Sequence, residues 1–349
     1  MRAGVLHAPG DLRIEDRADP APAPGEVVIE VAYNGLCGTD ATEFTKGPMM
    51  VPLHTRHPGS GHLGPTVLGH EFVGTVVDAA PEGRHLLGRR VACGAGVSCG
   101  ECAWCRRGRT NLCARYYTLG LSTDGGLATF VSAPAATCVA IPDDCTTESA
   151  ALAQPLAVGI HAVRRSGVQP GDAVVLLGAG AIGSFVCAGL ERHDGQVLAV
   201  DVDAGRLEAA RALGATDTAL VSPSAGPDDV RDLVAGGADV VFETSGVPGA
   251  VERAFALTAR GGTTVLVGLN SAPTTLNLAP VVLREVDVRT TVAHVCGDDL
   301  PAALDLLTRR NLGSSMVDRV VRLDDVVDQG LRPLSTGDVT GKVLVDPRG

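Results

Sequence analysis

Two hydropathy textures follow one another along the chain. From residue 1 to about 150, short apolar or alternating runs are cut at close intervals by Gly and Pro. Glu26-Val27-Val28-Ile29-Glu30-Val31-Ala32-Tyr33 and Glu71-Phe72-Val73-Gly74-Thr75-Val76-Val77 are two such runs, and Pro22-Ala23-Pro24-Gly25 and Asp124-Gly125-Gly126 are two of the breaks. Brief strands with frequent turns predict a barrel-like β region. After Thr146 the period changes: Ser149 to Arg165 is Ala-rich and reads as a helix, and buried strands then alternate with amphipathic helices to about residue 290. Strands are predicted at 173–177, 196–200, 240–243 and 263–267, with helices over 181–192 and 205–213. Such continuous Val/Leu runs suit parallel strands covered on both faces. The tail holds one predicted helix, 300–310, and closing strands that end in Gly341-Lys342-Val343-Leu344-Val345. The expected fold class is α/β. Residues 155–290 form a doubly wound parallel-sheet domain, and the flanking segments 1–154 and 291–349 join into one discontinuous β-rich domain around it.

Composition narrows the function classes. The chain has 349 residues, 45 % of them apolar and 20 % charged, enough for two cores and too apolar for a disordered chain. No apolar run approaches the ~20 residues of a membrane span, and the N-terminus reads directly into a strand without a signal-peptide pattern. A cytoplasmic protein is expected, with no membrane partner. With 29 Lys and Arg against 40 Asp and Glu the net charge is −11. That balance disfavours nucleic acid as a partner and leaves a small molecule.

The first strand of the α/β block runs into Gly178-Ala179-Gly180-Ala181-Ile182-Gly183, and the second ends at Asp201. A G-x-G-x-x-G alone is weak, but here it follows a strand, opens a helix and leads to an acid about where a ribose-binding carboxylate belongs. Gly178 allows the tight turn, Gly180 the close approach of a pyrophosphate, and Gly183 the packing of helix on strand. The helix start, including Ile182, offers free N–H groups to the phosphates. Asp201 would accept from the ribose hydroxyls and repel a 2′-phosphate, which favours NAD over NADP. Arg206, near the adenosine end, softens that repulsion.

Four of the ten cysteines fall within fifteen residues, at Cys99, Cys102, Cys105 and Cys113. Thiols at every third position pair poorly in disulfides but can wrap a tetrahedral zinc, and four of them leave no open position. A structural zinc is expected there. Cys37-Gly38-Thr39-Asp40 ends one apolar strand and Gly69-His70-Glu71 begins another. Each alone is more often a buried core residue than a ligand. Together with the other two motifs they point to an open zinc site.

These segments, with Ala153-Gln154-Pro155-Leu156-Ala157-Val158, make the chain resemble the zinc-containing medium-chain alcohol dehydrogenases over essentially its whole length. Within that family it is most similar to the butanediol, sorbitol and glucose dehydrogenase branch. The resemblance implies a GroES-like catalytic domain for residues 1–154 and 291–349 beside a Rossmann domain, and two zinc ions per chain. It implies a catalytic zinc on Cys37 and His70 with Glu71 and Gln154, a proton relay starting at Thr39, and Asp40 orienting His70. Two departures stand out: many relatives carry Glu where this chain has Gln154, and His where it has Thr42. The relay would then end through Thr42, Glu43, cofactor hydroxyls or water.

The expected activity is hydride transfer between a secondary alcohol (a polyol, vicinal diol or sugar) and NAD, giving a ketone, in a homodimer or homotetramer. Two alternatives compete. A zinc-free NAD(P)H reductase of quinones or enoyl groups is disfavoured by Cys37 and the four-cysteine loop. A non-catalytic NAD- and zinc-binding sensor is kept open by Gln154 and Thr42. His54, His57 and His62 are expected to be solvated loop residues, and Cys93, Cys138, Cys145, Cys187 and Cys296 buried filler.

Overall fold

The computed structural model describes residues 1–269 and 273–349. They form two compact units, Met1–Ala157 with His294–Gly349, and Val158–Ala293. In the first unit β1 (Arg2–Ala8), β2 (Asp11–Asp16) and β4 (Thr66–Val67) make a small sheet, with β1 in the middle; β3 (Glu26–Gly35) belongs to a larger one. That sheet contains β5 (Glu71–Ala79), β6 (Arg90–Cys93), β9 (Phe130–Pro134) and β10 (Cys138–Ala140), while β7 (Gly96–Val97) and β8 (Tyr117–Thr118) pair separately.

The second unit carries six strands: β11 (Val174–Leu177), β12 (Val197–Asp201), β13 (Asp217–Leu220), β14 (Ala238–Glu243), β15 (Thr258–Leu266) and β16 (Asp287–Thr290). All are parallel, in the order β13-β12-β11-β14-β15-β16. The order reverses between β11 and β14, the switch point at which such sheets bind ligands. The chain then returns to the first unit through the helix Cys296–Arg310, β17 (Val317–Arg322) and β18 (Lys342–Asp346). The large sheet runs β10-β6-β5-β3-β18-β17, with β9 also on β3.

Each unit has its own apolar interior. Leu6, Leu36, Leu68, Leu127 and Val343 fill one core of the first unit and Ile29, Phe72, Val91 and Val131 a second. Val175, Leu198, Val241 and Leu257 lie in the core of the α/β unit. Leucine and valine on both faces of the central strands remove them wholly from water, which is why their sequences lack alternation.

Local differences from the sequence reading have simple causes. The segment 149–165 is two helices, Thr147–Ala150 and Ala153–Ser166, with Pro155 placed in the first turn of the second, where no N–H is needed. The last long helix starts at Cys296 rather than 300, because Asp299 accepts the Val295 N–H at 2.7 Å and satisfies a free donor at its start. The helix opening at Ala181 ends at Gly189 rather than 192.

Candidate functional site

Cys37 stands one residue beyond Leu36 at the end of β3 and is the N-cap of the helix Gly38–Lys46. Asp40, buried in that first turn, accepts the Cys37 N–H through Oδ2 at 2.8 Å. Its other oxygen lies 3.3 Å from Nδ1 of buried His70. Gly69 makes this approach possible. Its φ is +94°, and a Cβ there would lie 2.4 Å from Asn34 Oδ1, so only glycine turns the chain tightly enough before His70. Burial alone would lower the His70 pKa, but the charges of Asp40 and Cys37 outweigh it and hold the ring well above the usual histidine range.

Glu71 opens β5 directly opposite Gly35 of β3, and β18 pairs with β3 on its other side. This places Lys342, the first residue of β18, against Glu71: Nζ lies 2.5 Å from Oε2 and 2.7 Å from Oε1. Both side chains are almost fully buried. Burial lowers the Lys342 pKa, and the negative charge of Glu71, with Cys37 and Asp40 behind it, more than reverses that. Gly35 is required for the pair, since a Cβ there would lie 2.5 Å from Glu71 Oε2. Sequence reasoning missed Lys342. Nothing near it in the chain marks Glu71 as its partner: Lys342 opens the strand Lys-Val-Leu-Val-Asp, which carries a second charge at Asp346.

The ligand atoms of Cys37, His70 and Glu71 all lie within 4.8 Å of one another. A thiol, an imidazole and a carboxylate so gathered fit a zinc ion. Thr39 Oγ1 is 3.7 Å from Cys37 Sγ, and Gln154 is half-buried in the first turn of Ala153–Ser166. Glu43 is not an outlet for protons. It is buried, and its two oxygens hold the N–H groups of Met49 and Met50 at 3.0 and 2.5 Å. The Thr42 hydroxyl donates to Gly38 O at 2.8 Å. Of the insert histidines His54 is exposed, as expected, but the other two are not simply solvated: His57 Nδ1 accepts from Gly59 and Ser60 N–H, and His62 Nε2 lies 3.0 Å from Thr66 Oγ1.

The second donor cluster is local. Cys99, Cys102, Cys105 and Cys113 bring their sulfurs within 4.8 Å of one another, helped by short helical turns at 105–107 and 110–112. Cys99 and Arg115 donate backbone N–H to Cys113 Sγ at 3.2 and 3.3 Å. Backbone donors, the Glu101 N–H first, lower the Cys99 pKa to about 6. Cys105 is pushed up to about 11 by burial and by its neighbours Cys102 and Cys113. Thiolates this close repel each other, and a divalent cation removes that conflict.

In the α/β unit Gly178 turns out of β11 with φ +102°. A Cβ on Gly183 would meet Gly178 O at 2.0 Å, so the helix Ala181–Gly189 sits directly on the turn. Thr244 Oγ1 donates to that same Gly178 oxygen at 2.6 Å. Asp201 ends β12. It accepts the Ala179 N–H through Oδ2 at 2.6 Å and those of Val202 and Asp203 through Oδ1 at 2.8 and 3.0 Å. Arg206 reaches to 3.9 Å from it. The carboxylate therefore fastens the glycine loop to the end of the second strand, and Ile182 is half-buried at the helix start.

A parallel six-stranded sheet with this glycine turn, and a β-rich unit carrying two thiol-based donor clusters, define a metal-dependent oxidoreductase of two-unit architecture. Residues 23–143 match the alcohol dehydrogenase GroES-like domain and residues 181–309 the zinc-binding dehydrogenase domain. The chain is 32 % identical to (R,R)-butanediol dehydrogenase of Bacillus subtilis, over 99 % of this chain and all of that protein. It is 35 % identical to sorbitol dehydrogenase of Macaca fascicularis, over 88 % of this chain and 85 % of that one. The crystal structure of 2R,3R-butanediol dehydrogenase from Bacillus subtilis superposes with a TM-score of 0.89 at 30 % identity, covering 99 % of both chains. A zinc-binding dehydrogenase from Sinorhizobium meliloti, solved bound to NADP, gives 0.85 at 30 % identity, again over 99 % of both. The chain belongs to the zinc-containing medium-chain alcohol dehydrogenase family and is a dehydrogenase. Among its described residues no helix is long and apolar enough to cross a membrane.

Proposed function

We propose that this dehydrogenase interconverts a secondary alcohol of the polyol, vicinal-diol or sugar type and its ketone, with NAD as hydride partner. The observation that carries the reading is the cluster of half-buried Cys37 with buried His70 and Glu71, backed by Asp40 and Lys342. Zinc on Cys37 and His70, with Glu71 and Gln154 beside them, would supply Lewis acidity that polarises the substrate oxygen. NAD supplies the hydride-accepting ring. The protein's own residues do the rest. Asp40 keeps the His70 Nδ1 proton in place and so fixes Nε2 as the ligand atom. Lys342 balances the Glu71 carboxylate, which keeps the site's charge low enough for the substrate oxygen to be polarised. Thr39 Oγ1, beside Cys37, takes the hydroxyl proton and passes it outward past Thr42 or to water.

Asp201, at the end of β12, supports NAD rather than NADP, since a carboxylate there would repel a 2′-phosphate. The four-cysteine loop is assigned a structural zinc. The protein is assigned to the cytoplasm as a homodimer or homotetramer. Among the described residues β16 ends the six-stranded sheet with no strand on its outer side and exposes Val288, an edge that a second copy would cover.

Initial rates with NAD and NADP against butanediol, sorbitol and glucose test the reading. Turnover of at least one with NAD, and weaker turnover with NADP, is expected. Tight NAD binding without turnover of any diol, polyol or sugar would overturn it in favour of a sensor.

A further inference from the structure

Two thiols outside both metal clusters face each other across a strand pair. Antiparallel β6 and β10 place Cys93 opposite Cys138. The Gly94 N–H donates to Thr137 O and the Ile141 N–H to Arg90 O, each at 2.8 Å. The hydrogen-bonded positions are therefore 94 with 137 and 90 with 141. Cys93 and Cys138 occupy a non-hydrogen-bonded position between them, where Cα atoms stand about 4.5 Å apart and side chains share one face. That separation lies within the span a disulfide bridges.

The two thiols are unlike. Cys93 Sγ has the Ala95 N–H at 3.4 Å and the Thr137 hydroxyl at 3.4 Å. Burial raises its pKa, but Cys138, Thr137 and the Ala95 N–H outweigh this and hold it below the usual thiol range. Cys138 is pushed well up, first by Cys93 and then by burial. Cys93 Sγ accepts a backbone N–H, whereas the Cys138 thiol lies 3.6 Å from the Pro134 carbonyl oxygen and donates to it, so the first sulfur is placed as the nucleophile and the second keeps its proton. Cys296, the third thiol nearby, is pushed up to about 12 by burial and sits 3.6 Å from Gly96 O. It is a bystander. β10 is a three-residue strand at the end of its sheet, the kind of element that opens first and admits a small oxidant.

We propose that Cys93 and Cys138 form a redox modification site, a dithiol that hydrogen peroxide converts into a cross-strand disulfide. Cys93 Sγ attacks a peroxide oxygen, the O–O bond breaks, and Cys93 becomes a sulfenic acid while the departing hydroxide takes up a proton as water. Cys138 Sγ then attacks that sulfur. The S–O bond breaks, the S–S bond forms, and the oxygen leaves as a second water with the Cys138 proton. One peroxide removes two electrons and two hydrogens from the pair. The bond would fasten the edge strand to β6 and close a chain segment that contains the four-cysteine loop.

The test uses the zinc-loaded protein with hydrogen peroxide, followed by alkylation under denaturing conditions and non-reducing peptide mapping by mass spectrometry. The expected result is the loss of two hydrogens per chain, with the peptides of Cys93 and Cys138 linked. A rise in thermal midpoint that a dithiol reductant reverses should accompany it. Cys296→Ala should form the same link, and Cys138→Ala should stop at a Cys93 sulfenic acid that dimedone traps. A link between any other pair would overturn the proposal, as would both thiols remaining alkylatable after a large excess of peroxide. Should Cys138→Ala fail to fold, the map of the unsubstituted protein and of Cys296→Ala still decides.

Discussion

Four cysteines within fifteen residues build one donor cluster, whereas Cys37, His70 and Glu71 reach the other from separate elements, and its buried cation Lys342 lies 271 residues from Glu71. The loop cluster is largely half-exposed; backbone N–H groups lower the pKa of Cys99, while burial and neighbouring thiols raise that of Cys105. The dispersed cluster is buried at His70 and Glu71, half-buried at Cys37, and governed by charges: Asp40 on His70, and Lys342 on Glu71. A local site can be complete in a short loop and tolerate its surroundings. A dispersed site exists only while three strands keep register, so its outer residues carry its properties.

The largest effect that separates the two is expected from Cys37→Ser. Turnover should fall by on the order of 10³-fold or more, because Lewis acidity contributes several kcal/mol to the barrier, while the loop keeps its metal. Undiminished turnover would remove Cys37 from the site. Lys342→Met comes next. It leaves a carboxylate buried without its cation, so stability in urea should drop by about 3–5 kcal/mol. The double variant Lys342→Met with Glu71→Gln should recover most of it, and a single-variant cost near zero would mean that the pair does not hold β18 to the site. Asp40→Asn keeps an acceptor for the Cys37 N–H but loses the charge facing His70. In chelator competition its inner zinc should bind about 10–100-fold more weakly, with the loop zinc unchanged; equal weakening of both would erase the contrast between the sites. Trp104→Ala should do least. Its exposed ring stacks on Arg107 at 5.5 Å, so a loss of about 0.5–1 kcal/mol is expected, with zinc content intact.

The same contrast explains what was legible in the sequence. Cys99, Cys102, Cys105 and Cys113 announce themselves by spacing, and Gly178 to Gly183 by following a Val/Leu strand, because their partners are close in the chain. Cys37 and His70 gained meaning only beside the other two motifs and the family resemblance. Lys342 was invisible: nothing in Gly341-Lys342-Val343-Leu344-Val345 says that β18 will lie against β3, beside Glu71. The four central strands of the parallel sheet were readable from continuous apolar runs. Its edge strands β13 and β16 were not, since Asp217-Thr218-Ala219-Leu220 and Asp287-Val288-Arg289-Thr290 bury no residue fully and mix polar with apolar residues. Glu43 shows the reverse error. An acid near the reacting end of a helix looks like a proton outlet, yet the turn after Gly47 needs its oxygens for two backbone donors.

Zinc per chain, determined by elemental analysis on protein purified without chelator, tests the central claim most directly. Two filled clusters require close to two ions in the unsubstituted protein and close to one in Cys37→Ser. A value close to one before any substitution would contradict the account, because the loop alone would then hold metal and the cluster of Cys37, His70 and Glu71 would be a charge network without a zinc.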